Sequence, residues 1–274
     1  MRHTRKIVAA AATLAVLVGA YAYADVGAGG QSAVRGLPAA CRADGGRTQQ
    51  IANAKLIIEF NATDDDIGVH GAFEDDGWRV LCVSDPAGGP VLVVRPKSQL
   101  RRLSMAGIFF ESREPPADEF SFAELRDRFP EGEYEVRGRT FDGKLLVGTA
   151  TFTHDVPAPP NITSPDIYAG PNRAERNPVS ERGLTVRWDR VTETVDGGPV
   201  DVSGYQVIVT DEDFEDPNGF SRPIYDVHVP PNVRSLPVPA RFLEAGRVYE
   251  LEVLALETSG NQTISVGFFA TNGA

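Results

Sequence analysis

Apolar and polar residues alternate with a period of two over three stretches of the C-terminal part of the chain: Leu-Thr-Val-Arg-Trp at 184–188, Gly-Tyr-Gln-Val-Ile-Val-Thr at 204–210 and Tyr-Glu-Leu-Glu-Val-Leu-Ala-Leu at 249–256. Alternation of this kind buries one face of a strand and wets the other. The three stretches therefore read as consecutive core strands of a sandwich, with Trp188 as its central aromatic residue. Tyr249 opens its strand directly after the turn 242–248, where a tyrosine corner ties a loop back onto the sheet. Upstream the same alternation recurs at 55–60, 68–73, 79–83, 91–95, 108–111, 134–139 and 145–153, separated by Gly, Pro and Asp turns that include Glu-Asp-Asp-Gly at 74–77. Short strands so spaced predict another sandwich. One helix interrupts them: Ser-Phe-Ala-Glu at 121–124 is a capping box that opens a helix over 122–129, closed by Pro130.

The two halves end alike. Phe-Pro-Glu-Gly-Glu-Tyr at 129–134 is echoed by Phe-Leu-Glu-Ala-Gly-Arg-Val-Tyr at 242–249, and each leads into an alternating strand and a glycine turn (Gly143, Gly260). Tyr134 is thus a second corner tyrosine. Trp78, on what reads as the third strand, is the first sandwich's only tryptophan, so Trp78, Tyr134, Trp188 and Tyr249 are the expected structural core. Between the halves, His-Asp-Val-Pro-Ala-Pro-Pro at 154–160 reads as a stiff connector, because proline fixes its own torsion and offers no ladder donor.

On these strands, residues 158–274 resemble the fibronectin type III family. The whole arrangement is similar to exported bacterial proteins that end in such a domain and carry a closing Glu-x-Ser-Gly-Asn-Gln-Thr, present here at 257–263. The expected fold is all-β: two tandem immunoglobulin-like antiparallel β-sandwiches, the first with one short helix, the second fibronectin type III-like. The expected division is a signal peptide at 1–24, a flexible leader at 25–50, the first sandwich at 51–156 and the second at 157–274. The resemblance implies binding, spacing or tethering more than catalysis.

The N-terminus changes the picture by giving an address. Arg2, Arg5 and Lys6 precede an apolar run from Ile7 and an Ala-Tyr-Ala at 22–24, the pattern of a cleavable secretory signal cut after Ala24. The run is shorter than the ~20 residues that cross a bilayer, so no stable membrane insertion is expected after cleavage. The expected location is periplasmic or secreted. Removing 1–24 takes three of 27 basic and none of 38 acidic residues, and 24 against 38 leaves a formal charge of −14. Such a surface lacks the basic clusters that nucleic-acid binding requires; Arg101 and Arg102 form the densest basic spot. In an oxidising compartment an even pair of cysteines most simply forms a disulfide, here Cys41 with Cys82.

The search for chemistry leaves little. The chain has no G-x-S-x-G, S-x-x-K or H-E-x-x-H motif and no phosphate-binding glycine loop. The exported chain keeps His70, His154 and His228, each in or beside an alternating strand. Two acidic loops, Asp64, Asp65 and Asp66 after Asn61, and Asp-Glu-Asp-Phe-Glu-Asp at 211–216, offer the hard oxygens that calcium takes. Solvated hairpin turns have the same composition, so Asp64–Asp66 stand as a metal candidate with that alternative beside it, and no cofactor beyond calcium is expected. The function expected is an exported, non-enzymatic binding or spacer protein of the cell envelope with a protein partner. The alternative is a calcium-dependent or carbohydrate-binding accessory module.

Overall fold

Alternating segments become strands along most of the chain. A computed structural model describes residues 37–42, 46–212, 214 and 223–273; the expected signal segment and most of the leader lie outside them. The first half contains α1 (Ala39–Arg42), β1 (Thr48–Gln50), β2 (Asn53–Asn61), β3 (Asp66–Ser84), β4 (Pro90–Val94), α2 (Ser98–Leu103), β5 (Met105–Glu111), α3 (Phe122–Arg128), β6 (Gly132–Thr140) and β7 (Leu145–Phe152). The second contains β8 (Ile162–Ser164), α4 (Pro171–Ala174), β9 (Thr185–Trp188), β10 (Val202–Asp211), β11 (Ile224–Val229), β12 (Ser235–Pro237), β13 (Val248–Glu257) and β14 (Gln262–Ala270).

β3 is the spine of the first half. Its opening residues pair antiparallel with β2 on one side and β5 on the other, and its closing residues pair with β6 and β4. The change of partners falls at 74–78, where the registers slip and Gly77 takes φ 153°, a bulge that lets one strand serve both layers of a sandwich. The expected turn at 74–77 is therefore an uninterrupted strand. Its physical reason is Asp75, a buried carboxylate that accepts from Gln49 Nε2 (2.6 Å), Ala52 N (3.1 Å) and Asp76 N (2.9 Å) and so anchors the β1–β2 connection rather than closing a hairpin. The end of the leader is ordered as well, since β1 lies parallel to β7 with Thr48 opposite Leu145.

Helix α3 has both halves of its capping box, Ser121 Oγ accepting from Glu124 N and the Glu124 carboxylate accepting from Ser121 N. The short helices α1, α2 and α4 add to the single helix expected. α2 carries no side-chain cap, and Ser98 and Ser104 have positive φ, so nothing in its sequence announces it.

In the second half β12-β9-β8 face β11-β10-β13-β14, three strands against four in fibronectin type III order. β11 and β12 intervene between β10 and β13, so the three stretches read as consecutive are not. Two apolar cores result, one around Trp78, Phe73, Tyr134 and Phe152, the other around Trp188, Tyr205, Tyr249 and Phe269. Tyr134 donates its hydroxyl to Pro130 O (3.0 Å), and the Tyr249 hydroxyl accepts from Glu244 N (2.7 Å). Both indole N–H groups are buried without a partner among the described residues, so the tryptophans serve as apolar filling.

The sandwiches are not beads held by a proline segment alone. β14 pairs parallel with β2, Gln262 opposite Glu59 and Ile264 opposite Asn61, and this joins both halves into one sheet, β1-β7-β6-β3-β2-β14-β13-β10-β11. Asn261, 1 % exposed, is the rivet: its Oδ1 accepts from Ile58 N (2.8 Å), and its Nδ2 donates to Thr153 O (3.0 Å), Thr153 Oγ1 (2.9 Å) and Asp155 O (3.3 Å). Thr263 Oγ1 donates to Pro157 O (2.5 Å). Gly260 adopts φ 109°, and a Cβ there would stand 2.9 Å from Ile57 Cγ2, so only glycine permits this approach. From the facing loop, Val195 packs on the first core and Asp196 pairs with Arg126 of α3.

Two outcomes follow. Trp188→Ala is expected to destabilise the protein by about 3–5 kcal/mol by emptying a large aromatic site, and Tyr249→Phe by about 1–3 kcal/mol by removing the acceptor of the Glu244 amide; equilibrium denaturation with both midpoints unmoved would contradict this packing. Asn261→Ala should cost about 2–3 kcal/mol, since it strands backbone groups of the first half and the connector, and should split one unfolding transition into two. A single transition with the wild-type midpoint would show that the rivet does not couple the halves.

Candidate functional site

Cys41 and Cys82 are joined, with Cα atoms 6.4 Å apart across a separation of 41 residues. With Leu37 and Val80 they form a small apolar cluster that presses α1 onto β3. Arg137 Nε and Arg139 Nε donate to the carbonyls of Cys41 (2.8 Å) and Ala40 (3.0 Å). The role of this corner is mechanical, and no free thiol remains among the described residues.

Asp64, Asp65 and Asp66 occupy the β2–β3 turn. Asn61 organises it: its Oδ1 accepts from Thr63 N (3.0 Å) and Asp64 N (3.2 Å), and its Nδ2 donates to Asp64 Oδ2 (3.1 Å). Asp65 sits at φ 55°, a left-handed conformation that aspartate tolerates in turns. Asp66 opens β3 opposite Asn61, and burial, followed by the charges of Glu114, Asp64, Asp65 and Glu111, pushes its carboxyl up to about 6. The three carboxylates share this turn closely enough for the charges of Asp64 and Asp65 to act on Asp66. The gathered set of side-chain ligands among the described residues lies elsewhere and contains none of them. The other acidic loop lies outside the described residues apart from Asp211, Glu212 and Phe214.

That gathered set is Glu59, His70 and Glu114, whose ligand atoms all lie within 4.8 Å of one another. β2 supplies Glu59 at the seam, β3 supplies His70, and the chain leaving β5 supplies Glu114. Two devices bring Glu114 in. Ser112 is bound to Val69 by both its N–H (3.0 Å, to Val69 O) and its hydroxyl (2.9 Å, from Val69 N). Gly68, opposite Glu59 in the ladder, leaves the space that Glu114 fills, for a Cβ there would lie 2.6 Å from Glu114 Cγ. His70 Nε2 bonds to Glu114 Oε1 at 2.8 Å, and its Nδ1 lies 3.6 Å from Glu59 Oε2, the oxygen to which Gln262 donates across the seam. Phe109 closes over the imidazole edge-on.

Burial dominates the electrostatics. It raises the Glu59 carboxyl above its ordinary value more than His70 and Gln262 lower it, with Glu114 and Glu111 adding to the rise. Burial opposes charge on His70, but the Glu114 hydrogen bond and the charges of Glu59, Glu114 and Glu111 outweigh it and hold the imidazole above its usual value. Farther along the sheet, burial and then Glu250, Glu59 and Asp226 raise Glu252 well above the carboxylate range. His70 is the cationic partner that Glu59 and Glu114 have among the described residues. Chemically, the cluster can hold a proton or a cation.

Sequence reasoning passed over Glu59 and Glu114. Glu59 interrupts the apolar run Leu56-Ile57-Ile58 before Phe60, a signal of special surroundings. Glu114 follows a strand end, and only the packing over Gly68 shows its role.

No protein-family model and no curated protein matches the chain. Among solved structures it is similar to the fn3 domain of the human collagen alpha-1(XX) chain, at 16 % identity over 43 % of this chain and 82 % of that one, with a TM-score of 0.29. It is also similar to the chicken CNTN1 FN1–FN3 domains, at 12 % identity over 82 % of this chain and 65 % of that one (TM-score 0.31). A third likeness is to the tetra-tandem repeat in the extending region of a large adhesion protein, at 12 % identity over 80 % of this chain and half of that one (TM-score 0.27). The class is defined by the strand order itself: an all-β protein of two fused sandwiches, the second of fibronectin type III form.

Calcium is expected to raise the melting temperature no more than magnesium at matched ionic strength, because screening a net charge of −11 selects no ion. A site on Asp64–Asp66 would instead stabilise the fold by about 2.7 kcal/mol at a hundredfold excess of calcium over Kd. A calcium-specific rise of several degrees, abolished by Asp65→Asn with Asp66→Asn, would reverse this reading.

Proposed function

We propose that this chain is an exported, non-enzymatic protein-binding and spacer module of the cell envelope. The observation that carries the reading is a surface patch at the end of the first sandwich remote from the seam. There Arg79, Arg101, Arg102 and Ser98 surround Phe141 in an open depression. Phe141 is 53 % exposed with the Arg79 guanidinium 5.1 Å from its ring centre, and Leu100 and Leu103 of α2 are exposed beside Arg101 and Arg102. Arginine and aromatic side chains are the residue types in which protein interfaces are enriched. On a chain this acidic, a cationic patch with apolar anchors favours a partner with an acidic, apolar-pocketed surface through electrostatic complementarity.

Two further observations support the reading. The seam fixes one half relative to the other, as a spacer needs, and the depression along Ser164, Pro165, Arg182 and Thr185 is likewise open rather than an enclosed substrate cavity. The disulfide fits export into an oxidising compartment, and no helix among the described residues is long and apolar enough to cross a membrane.

A photo-crosslinking residue at position 103, in cells expressing the full chain, is expected to trap a discrete envelope protein. The adduct should fall about tenfold or more with Arg101→Glu and Arg102→Glu, since like charge across an interface costs several kcal/mol, while the same probe at exposed position 187 on β9 traps none. Equal labelling from both positions would show that the patch is ordinary surface.

A further inference from the structure

We propose that Glu59, His70 and Glu114 form a binding site for a divalent transition-metal ion, with zinc as the ion they fit and water completing its shell. This goes beyond the binding function, whose patch lies past the Gly77 bend of β3.

The donor set comes first. One imidazole with two carboxylates is a combination suited to zinc, a borderline ion that takes nitrogen and oxygen ligands together; calcium and magnesium prefer oxygen alone. The three donors converge within 4.8 Å, and they do so by construction: Gly68 makes room for Glu114, Ser112 pins the segment that carries it, and Gln262 orients Glu59 from the neighbouring strand. Glu59 has a hydrogen-bonded residue behind it, Gln262, the kind of support that metal sites use.

Charge distinguishes this arrangement from a plain ion triad. A proton between His70 and Glu114 at 2.8 Å completes that pair, but Glu59 stands 3.6 Å from Nδ1, beyond hydrogen-bond length. Two carboxylates then share one positive group in a buried place, with Glu111 and Asp66 adding negative potential nearby. An ion at Nε2 in the proton's place takes Glu114 as a ligand, and Glu59, which faces Nδ1, joins it by a turn of its side chain. His154 and His228 stand apart from this cluster, the two thiols are consumed in the disulfide, and so the described residues offer no comparable competing set. The side chain of Glu114 is 13 % exposed, which gives an ion a way in. Because Glu59 is the seam partner of Gln262, a bound ion ties the exit of β5 to the strand on which the halves meet. Its role is structural.

The test uses the full exported chain stripped of metal and titrated calorimetrically with zinc chloride, with magnesium and calcium chloride as comparisons. One equivalent of zinc should bind, magnesium and calcium should not, and Glu114→Gln and His70→Gln should each weaken binding by about tenfold or more. Glu114→Gln keeps the shape of the side chain, and its far-ultraviolet circular dichroism and melting without metal should match the wild type. As a measurement that needs no variant, cobalt(II) bound to the wild-type chain should show visible absorption displaced by zinc, and zinc should shift the His70 ring resonances. Absence of saturable zinc binding overturns the proposal. So does binding that survives unchanged in both variants, or that leaves the His70 resonances in place.

Discussion

Three residues of parallel ladder, Gln262 to Ile264 against Glu59 to Asn61, are the constraint on which the rest of the molecule depends. A pairing so short would not hold two domains by its own hydrogen bonds, whose net worth is about 1 kcal/mol each. It holds because side chains of the same segment satisfy backbone groups that the junction would otherwise bury unpaired. Asn261 serves Ile58, Thr153 and Asp155, Thr263 serves Pro157, and Thr63 exchanges bonds with Val266. Every one of these crosses from one half to the other or to the connector. The junction also removes an edge from each sandwich, since β2 and β14 would otherwise present open rows of donors and acceptors of the kind that recruit foreign strands.

Period-two alternation marked most strands, and the capping box marked α3, because both are local: each depends on residues a few positions apart. Tyr134 and Tyr249 could be placed for the same reason, since a corner hydroxyl bonds a few residues upstream. What escaped was long-range. Asp75 looked like a turn residue because Asp-Asp-Gly favours turns, yet its partners come from Gln49 and Ala52. The connector at 154–160 read as a stiff link between two modules because its prolines are visible, while the strand pairing that fuses the halves, more than 200 residues apart in sequence, is not. The Ser-Gly-Asn-Gln-Thr motif was visible as a motif, but its meaning lies in backbone groups that only the fold brings to Asn261.

The candidate site shows the same division more sharply. Asp64, Asp65 and Asp66 drew notice because carboxylates adjacent in sequence are conspicuous, and within their turn the Asn61 side chain binds Thr63 and Asp64. Glu59, His70 and Glu114 come from three segments and converge because a glycine is missing a side chain where a glutamate must lie. Convergence of this sort is a property of the ladder register, and a one-residue slip between β2 and β3 would send Glu59 and His70 to opposite faces.

Seam, cluster and patch lie along one element. β3 meets β2 and the acid–imidazole cluster in its first part, bends at Gly77, and carries Arg79 into the cationic patch just beyond. A strand buried on both sides transmits position stiffly, for close-packed interiors shift little without a discrete rearrangement. With the second sandwich riveted to β2, the patch is therefore held at a fixed distance and angle from the C-terminal half. Had the halves been joined only by the proline segment, a partner gripping the patch would leave the second sandwich free to swing, and binding would carry no orientation. On the proposed binding role, the fused sheet would turn a contact at one end into a defined placement of the other, which is the property that separates a spacer from a tether.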